Sequence, residues 1–310
     1  MAKILVTGSS GFVGTRLMTL LNREHHIIAP VRKHITMSLP NVHYPIVADL
    51  ADLANQSQHF SNIDIVIHAA AKAHAAGESL DKYRQINTEA TLAIAKSAAK
   101  QGVKRFVFLS SIGVNGLGNN KPFTVSDTPC PVEAYAISKF EAENELKRVA
   151  SETGMEVVII RPPLVYGAKA PGNFCKLREL TNKNLPLPLG AIYNKRSLVA
   201  LDNLIDLIIT CIDHSKAANQ TFLVSDDQDI STTDLLKMMI IASGKKTKLL
   251  AVPVTILKVI GILTRKQTII DRLCGNLQVD ISHTKHTLNW TPPITVEEGI
   301  KRCFIKEELC

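Results

Sequence analysis

Short apolar runs alternate with stretches of helical periodicity through the first half of the chain. Ile4 to Val6, His26 to Ala29, Val42 to Val47, Ile63 to Ile67, Phe106 to Leu109 and Val157 to Ile160 each read as a strand. Between them, Arg16–Asn22, Asp81–Lys100 and Glu133–Ser151 read as helices; the second carries Ile86, Ala90, Ala93 and Ile94 at helical spacing. Apolar runs separated by helices predict βαβ units, hence an α/β fold with a doubly wound parallel sheet covered on both faces.

After Pro171 the texture changes. A Pro-rich connector spans Asn184–Gly190, and Ser197–Ala200 reads as a short strand. Helices are expected at Asp202–Asp213, Thr233–Ala242, Pro253–Leu263 and Val296–Lys306. Residues 1–170 are expected to form the sheet domain and residues 171–310 a smaller mixed α/β substrate lobe. Ser197–Thr210 and Thr221–Val224 are expected to return to the first domain. No repeat of solenoid length is apparent.

Composition narrows the class. At 310 residues, 45% hydrophobic and 21% charged, the chain is ordinary globular protein. Its six cysteines are scattered without a CxxC pair, which reads as reduced thiols in the cytoplasm. No apolar run reaches the ~18 residues that span a bilayer, and the apolar run before Gly8 is too short for a signal peptide. No metal-ligating cluster is read. Lys+Arg 36 against Asp+Glu 28 leaves +8, which favours anionic partners. The basic residues form no aromatic-interleaved patch or known motif, so nucleic acid is not expected. Leu249–Leu263 is flanked by Lys245, Lys246, Lys248, Arg265 and Lys266. It reads either as a helix of the second lobe with solvated flanks or as a peripheral contact to an anionic bilayer.

Thr7-Gly8-Ser9-Ser10-Gly11-Phe12-Val13-Gly14 follows the first strand and opens the first helix. Gly8 suits the tight turn, Gly11 the approach of a pyrophosphate, and Gly14 close helix–sheet packing; N–H groups at the helix start attract the anion. This places a dinucleotide on a Rossmann-type sheet. After the second strand stands Arg32-Lys33 rather than a carboxylate, a lean toward the 2′-phosphate of NADP over the ribose hydroxyl of NAD. Asp49, at the end of the third strand region, is a candidate for the adenine end.

Ser110 and Ser111 end the strand Phe106–Leu109, on the sheet edge where such folds bind ligands. Tyr135 and Lys139 follow at i and i+4 on one helix face. An ammonium beside a phenol is expected to lower the phenol's pKa and make Tyr135 a general base, with Ser111 holding the same substrate oxygen.

These residues together resemble the extended short-chain dehydrogenase/reductase superfamily, in its NAD-dependent epimerase/dehydratase branch. Gly8, Gly11, Phe12, Val13 and Gly14 fall in a segment similar to the branch's TGxxGFxG. His68-Ala69-Ala70-Ala71-Lys72 is similar to a segment whose Ala backbone lines the cofactor and whose Lys binds its phosphates. Asn87 resembles a helix Asn that supports the fourth strand, and Arg161 to Gly167 an RPxNVYG strand. The resemblance implies catalytic roles for Ser111, Tyr135 and Lys139. It implies cofactor contacts from Arg32, Asp49, Leu50, Ala69, Ala70, Lys72, Asn87, Ser110, Pro162 and Val165. Asn173 and Arg196 resemble the residues that hold a sugar-nucleotide diphosphate, and Trp290 falls in a structural C-terminal segment. Leu164 stands where many members have a substrate-contacting Asn, and Asn115 replaces a Tyr, altering the sugar-pocket wall.

The activity expected is redox chemistry at C4 of a UDP-hexose with NAD or NADP. The leading expectation is a UDP-N-acetylhexosamine 4-epimerase of surface-polysaccharide synthesis. The alternative is an NADPH-dependent reductase of a UDP-4-keto-6-deoxy sugar, which Arg32 favours. A dehydratase would add an acidic pair beside the catalytic Ser, where Ile112-Gly113 stand. A non-catalytic NADP-binding regulator would show a damaged Ser/Tyr/Lys set. The family also implies a homodimer through Asp81–Lys100 and Glu133–Ser151.

Overall fold

The computed structural model describes residues 1–35, 39–73 and 77–305; Lys306 and Cys310 lie outside them. The first strand, β1 (Lys3–Thr7), lies inside the sheet and leads into α1 (Phe12–Leu21). This helix starts at Phe12 rather than Arg16, because Gly11 takes the extended N-cap conformation and frees the next residues to turn. β2 (His26–Ile28) and β3 (Val42–His43) extend the sheet on one side of β1. The third strand is only two residues long, since Pro45 has no N–H to continue the ladder; Val31 and Ile46 add an isolated bridge beyond it.

On the other side lie β4 (Ile65–His68), β5 (Arg105–Leu109), β6 (Glu156–Arg161) and β9 (Thr221–Leu223). The order is β3-β2-β1-β4-β5-β6-β9, all parallel. Strand order reverses between β1 and β4, and the carboxyl ends of such neighbouring strands form the ligand crevice. Strands buried on both faces explain the uninterrupted apolar runs.

One face is covered by α1 and α7 (Leu201–Asp213), whose Leu204, Ile205 and Ile208 join Ile4, Val6 and Val107 in one core. The other face is covered by α4 (Ala90–Lys100) and α5 (Ala134–Thr153), with α2 (Leu50–Asn55) beside them. α3 (Leu80–Tyr83) runs through a π-helical turn, Arg84–Glu89, into α4. The predicted single helix Asp81–Lys100 is thus continuous but widened at its centre. A third core lies around Tyr166, Phe174 and Leu236. It joins β7 (Leu164–Tyr166), α6 (Gly172–Asn182), β8 (Leu198–Ala200), α8 (Thr232–Ser243) and α12 (Val296–Arg302). β7 and β8 pair in a separate two-stranded sheet. Between α8 and α12 lie α9 (Val254–Leu263), α10 (Gln267–Cys274) and α11 (Ser282–Leu288). Trp290 is buried and donates to Asp206 at 2.6 Å. No helix among the described residues is long and apolar enough to cross a membrane.

Candidate active site

The phosphate loop sits at the β1 end of the crevice. Gly8 has φ +73°, and a Cβ there would stand 2.7 Å from the Ala70 nitrogen. Gly8 is therefore required both by conformation and by the close backbone pass of Ala69 and Ala70. A Cβ on Gly14 would lie 2.0 Å from the Gly8 carbonyl oxygen, so the first helical turn packs against the loop itself. A Cβ on Gly11 would meet only the Gly8 oxygen at 3.2 Å. No side chain caps α1, and its first turn holds no acid, leaving N–H groups to face an anion. Ser9 Oγ is buried without a hydrogen-bond partner among the described residues. Buried hydroxyls are seldom left unpaired, and a phosphate oxygen is the acceptor that this loop lacks. The residues present therefore fit a dinucleotide pyrophosphate.

The flanking positions are organised around Asn87, fully buried in the π-helical turn. Its side chain accepts from the Lys72 N–H at 2.8 Å, donates to the Lys72 carbonyl at 3.1 Å and donates to Ser138 Oγ at 3.1 Å. It ties the loop after β4 to the helix that carries Tyr135 and Lys139. A π bulge turns a residue out of the regular ladder, as it often does at functional sites. Lys72 ion-pairs with Glu78 at 2.8 Å. Asp49 caps α2, accepting from the Asp52 N–H at 2.8 Å, and Leu50 is half-buried in that first turn. Arg32 is exposed, with no ion pair among the described residues. The Phe12 ring packs on Gly167, whose added Cβ would stand 3.0 Å from it. Val165 pairs with Val199, and the Pro162 carbonyl accepts from Ile112.

At the other end, Ser111 caps a short turn, accepting from the Gly113 N–H at 3.1 Å. Its hydroxyl proton remains free to donate. Gly113 lies close to both Ser111 Oγ and Ala136, which sets Ser111 beside the first turn of α5. Tyr135 lies in that turn, its ring edge-on to Tyr83 with centroids 6.2 Å apart. Lys139 is buried; its Nζ donates to the Leu109 carbonyl at 2.8 Å and lies 4.3 Å above the Phe108 ring.

The expected lowering of the Tyr135 pKa is corrected by this geometry. Burial, with a smaller contribution from Tyr83, pushes the Tyr135 hydroxyl up to about 12. Burial pulls Lys139 down to about 7 against the opposing pull of Glu143. Desolvation disfavours both charged forms and here outweighs any mutual benefit.

Beneath the catalytic candidates is a charge network that sequence reading missed. Glu143 and Arg161 are both buried and form a two-pronged ion pair, Nε to Oε1 at 2.9 Å and Nη2 to Oε2 at 2.5 Å. Ser110 donates to Glu143 Oε1 at 2.5 Å, and Arg161 Nη1 donates to Asn115 Oδ1 at 3.0 Å. Asn115 is thus a buried anchor beneath the site rather than pocket wall, since Thr124 and Arg161 engage its carboxamide. The missed signal was a Glu on the same helical stripe as Tyr135 and Lys139. Of the diphosphate candidates, Asn173 is exposed in the first turn of α6. Arg196 is half-buried, and its Nη1 donates to the carbonyls of Arg272 and Gly275 at 2.7 and 3.2 Å. Burial lowers its pKa.

Comparisons with known proteins show the family and the fold. UDP-glucose 4-epimerase of Vibrio cholerae is 47% identical over 311 residues, covering 96% of this chain and 93% of that one. N-acetyl-alpha-D-glucosaminyl-diphospho-ditrans,octacis-undecaprenol 4-epimerase of Escherichia coli O157:H7 is 23% identical, again over 96% of this chain and 93% of its own. Among solved structures, UDP-glucuronic acid 4-epimerase of Bacillus cereus in complex with NAD superposes with a TM-score of 0.77 at 19% identity, over 97% of both chains. Residues 4–225 match the NAD dependent epimerase/dehydratase family. On that match and the Vibrio relative, the chain belongs to the NAD dependent epimerase/dehydratase family, enzymes of the short-chain dehydrogenase/reductase type.

Proposed function

We propose that the protein interconverts the C4 epimers of a UDP-hexose and uses NAD held through the catalytic cycle. The observation that carries this reading is the joining of Ser111, Tyr135 and Lys139, through Asn87 and β5, to the loop after β4, whose Ala69 and Ala70 pack on Gly8 of the phosphate loop. The family match and the Vibrio relative support the reaction class.

In this reading Tyr135 takes the proton from the C4 hydroxyl, and Ser111 donates its free proton to the same oxygen. Burial holds the Tyr135 pKa up, so the Lys139 ammonium, next on the α5 face, acts against that burial as the proton transfers. The nicotinamide, when bound, supplies the hydride acceptor and donor. Asn173 and Arg196 hold the diphosphate, leaving the sugar free to present either face to the same base. The Vibrio relative's identity makes UDP-glucose the first substrate, and UDP-N-acetylglucosamine, the hexose expected from sequence, the second.

One observation favours a second reading. Arg32 is exposed in the loop after β2, suited to a 2′-phosphate. That suits an NADPH-dependent reductase of a UDP-4-keto-6-deoxy sugar. Incubating the enzyme with each UDP-hexose and no added cofactor separates the two. A 4-epimer, with NAD released on denaturation, supports the epimerase. Absence of any epimer, with NADPH consumed on a 4-keto sugar, overturns it.

A further inference from the structure

The α9–α10 hairpin exposes an apolar surface that no part of the described chain covers. Ile256, Val259, Ile260 and Leu263 recur at i, i+3, i+4 and i+7 and are 49%, 55%, 46% and 78% exposed. They form one face of α9. The inward face is made by Leu257 and Gly261, and Gly261 packs so closely on α10 that a Cβ would stand 2.9 Å from Ile270. Ile262 and Ile269 widen the exposed area at 59% and 55%. A soluble surface seldom leaves so continuous a stripe of large aliphatic side chains in water.

Charge identifies the occupant. Lys258, Arg265 and Lys266 are exposed around this stripe and form no ion pair among the described residues. No Asp or Glu occurs between Asp234 and Asp271, whereas Lys and Arg recur throughout. An apolar face rimmed by unpaired cations complements an anionic lipid surface, whose acyl region takes the aliphatic side chains while its headgroups meet the ammonium groups. A second copy of the chain fits less well. A two-fold contact sets the same patch against itself, bringing three unpaired cations per copy together with only the exposed Asp271 of α10 to offset them.

We propose that the α9–α10 hairpin is a peripheral docking surface for an anionic phospholipid bilayer. The surface is tied to the candidate active site. The end of α10 supplies the Arg272 and Gly275 carbonyls that hold Arg196, and Arg272 ion-pairs with Glu133, the N-cap of the helix carrying Tyr135. Docking through α9 therefore fixes the site's orientation relative to the lipid surface.

The test is flotation of the full chain with vesicles of phosphatidylcholine plus phosphatidylglycerol, against vesicles of phosphatidylcholine alone. The wild type is expected to float with the anionic vesicles and to be released at high salt. Val259→Glu with Leu263→Glu should lower partitioning by at least about tenfold. Lys258→Glu, Arg265→Glu and Lys266→Glu together should lower it by about 100-fold. Because every one of these side chains is exposed, the wild-type melting temperature should persist in both variants, which separates lost docking from lost folding. Wild type that stays below the vesicles overturns the proposal, as do variants that float as well as wild type. A wild-type dimer that ignores vesicles, and that Val259→Glu with Leu263→Glu splits into monomers by light scattering, also overturns it and assigns the face to a subunit contact.

Discussion

Lys139 Nζ donates to the Leu109 carbonyl at 2.8 Å, joining α5 to the end of β5 one residue before Ser110. This bond holds an ammonium where burial opposes it, and its pKa falls to about 7 from an ordinary 10.5. A lowered lysine pKa means that the unfolded chain keeps its proton to higher pH than the native one. Native stability is therefore penalised in full below pH 7, and the penalty fades as pH rises toward 10.5. Lys139→Met removes the titrating group. Its stability relative to wild type should rise as pH falls from 10.5 to 7, by roughly 5 kcal/mol, and level off below. Urea unfolding across that range measures it; a pH-independent difference would show that Lys139 is not desolvated. Turnover should fall throughout, because the amine that ties α5 to the end of β5 beside Tyr135 is gone.

Tyr135→Phe keeps the ring packed against Tyr83 and removes only the hydroxyl. Loss of a positioned proton acceptor costs about 100- to 10,000-fold in rate. Cofactor affinity should hold within a few-fold, since the phosphate loop is untouched. Fluorescence titration with NAD beside a turnover assay separates the effects. Retained turnover would remove Tyr135 from the chemistry.

Two glycine substitutions should separate folding from binding. Gly14→Ala puts a methyl 2.0 Å from a backbone oxygen that cannot move aside, so it should unfold the loop and lower the melting temperature by several degrees. Gly11→Ala meets only one oxygen at 3.2 Å. The chain should stay folded while NAD affinity falls at least tenfold, because the methyl occupies the pyrophosphate's approach. Calorimetry and ligand titration on the same samples distinguish these outcomes.

The strands of this fold were legible because a sheet buried on both faces needs unbroken apolar runs, and Phe106–Leu109 and Val157–Ile160 supply them. The phosphate loop was legible because glycine is the residue that fits Gly8 and Gly14. Other features depend on contacts between distant residues, which no local pattern reports. Ser197–Ala200 and the Arg161–Gly167 segment read as strands, but their pairing with one another as β7 and β8, apart from the main sheet, is set only by folding. Asn115 read as pocket wall because its partner Arg161 is brought to it by folding. The sign of the Tyr135 shift was misread for a related reason. Helical spacing places Lys139 nearby but says nothing of desolvation, which dominates for both groups.

Glu143 anchors the layer under the site, accepting from both Arg161 and Ser110. Glu143→Leu leaves the Arg161 guanidinium buried without its counter-ion and Ser110 without its acceptor. Breaking one side of such a pair costs about 3–5 kcal/mol, which chemical denaturation should report. Adding Arg161→Met should recover much of that loss, since an uncharged pair carries no unpaired ion. A double variant no more stable than Glu143→Leu would show that the geometry, rather than charge balance, sets the cost.

His68 ends β4 with no exposed surface, between Thr7 Oγ1 at 2.9 Å from Nδ1 and Thr91 Oγ1 at 3.0 Å from Nε2. Burial, reinforced by the charge of Lys139, holds its pKa down to about 3 against an ordinary 6.5. The imidazole is neutral in the native chain, while in the unfolded chain it takes a proton below pH 6.5. The unfolded state therefore binds more protons between pH 6.5 and 3, and native stability falls as pH drops through that window. The contribution lost is roughly 5 kcal/mol over the whole range. A neutral His68→Gln, which can still bond both threonines, should lose less stability between pH 6.5 and 4 than wild type does. Thermal unfolding of the two proteins across that window provides the check. Equal acid sensitivity would mean that carboxylates elsewhere set the acid limit, and that His68 titrates no differently folded and unfolded.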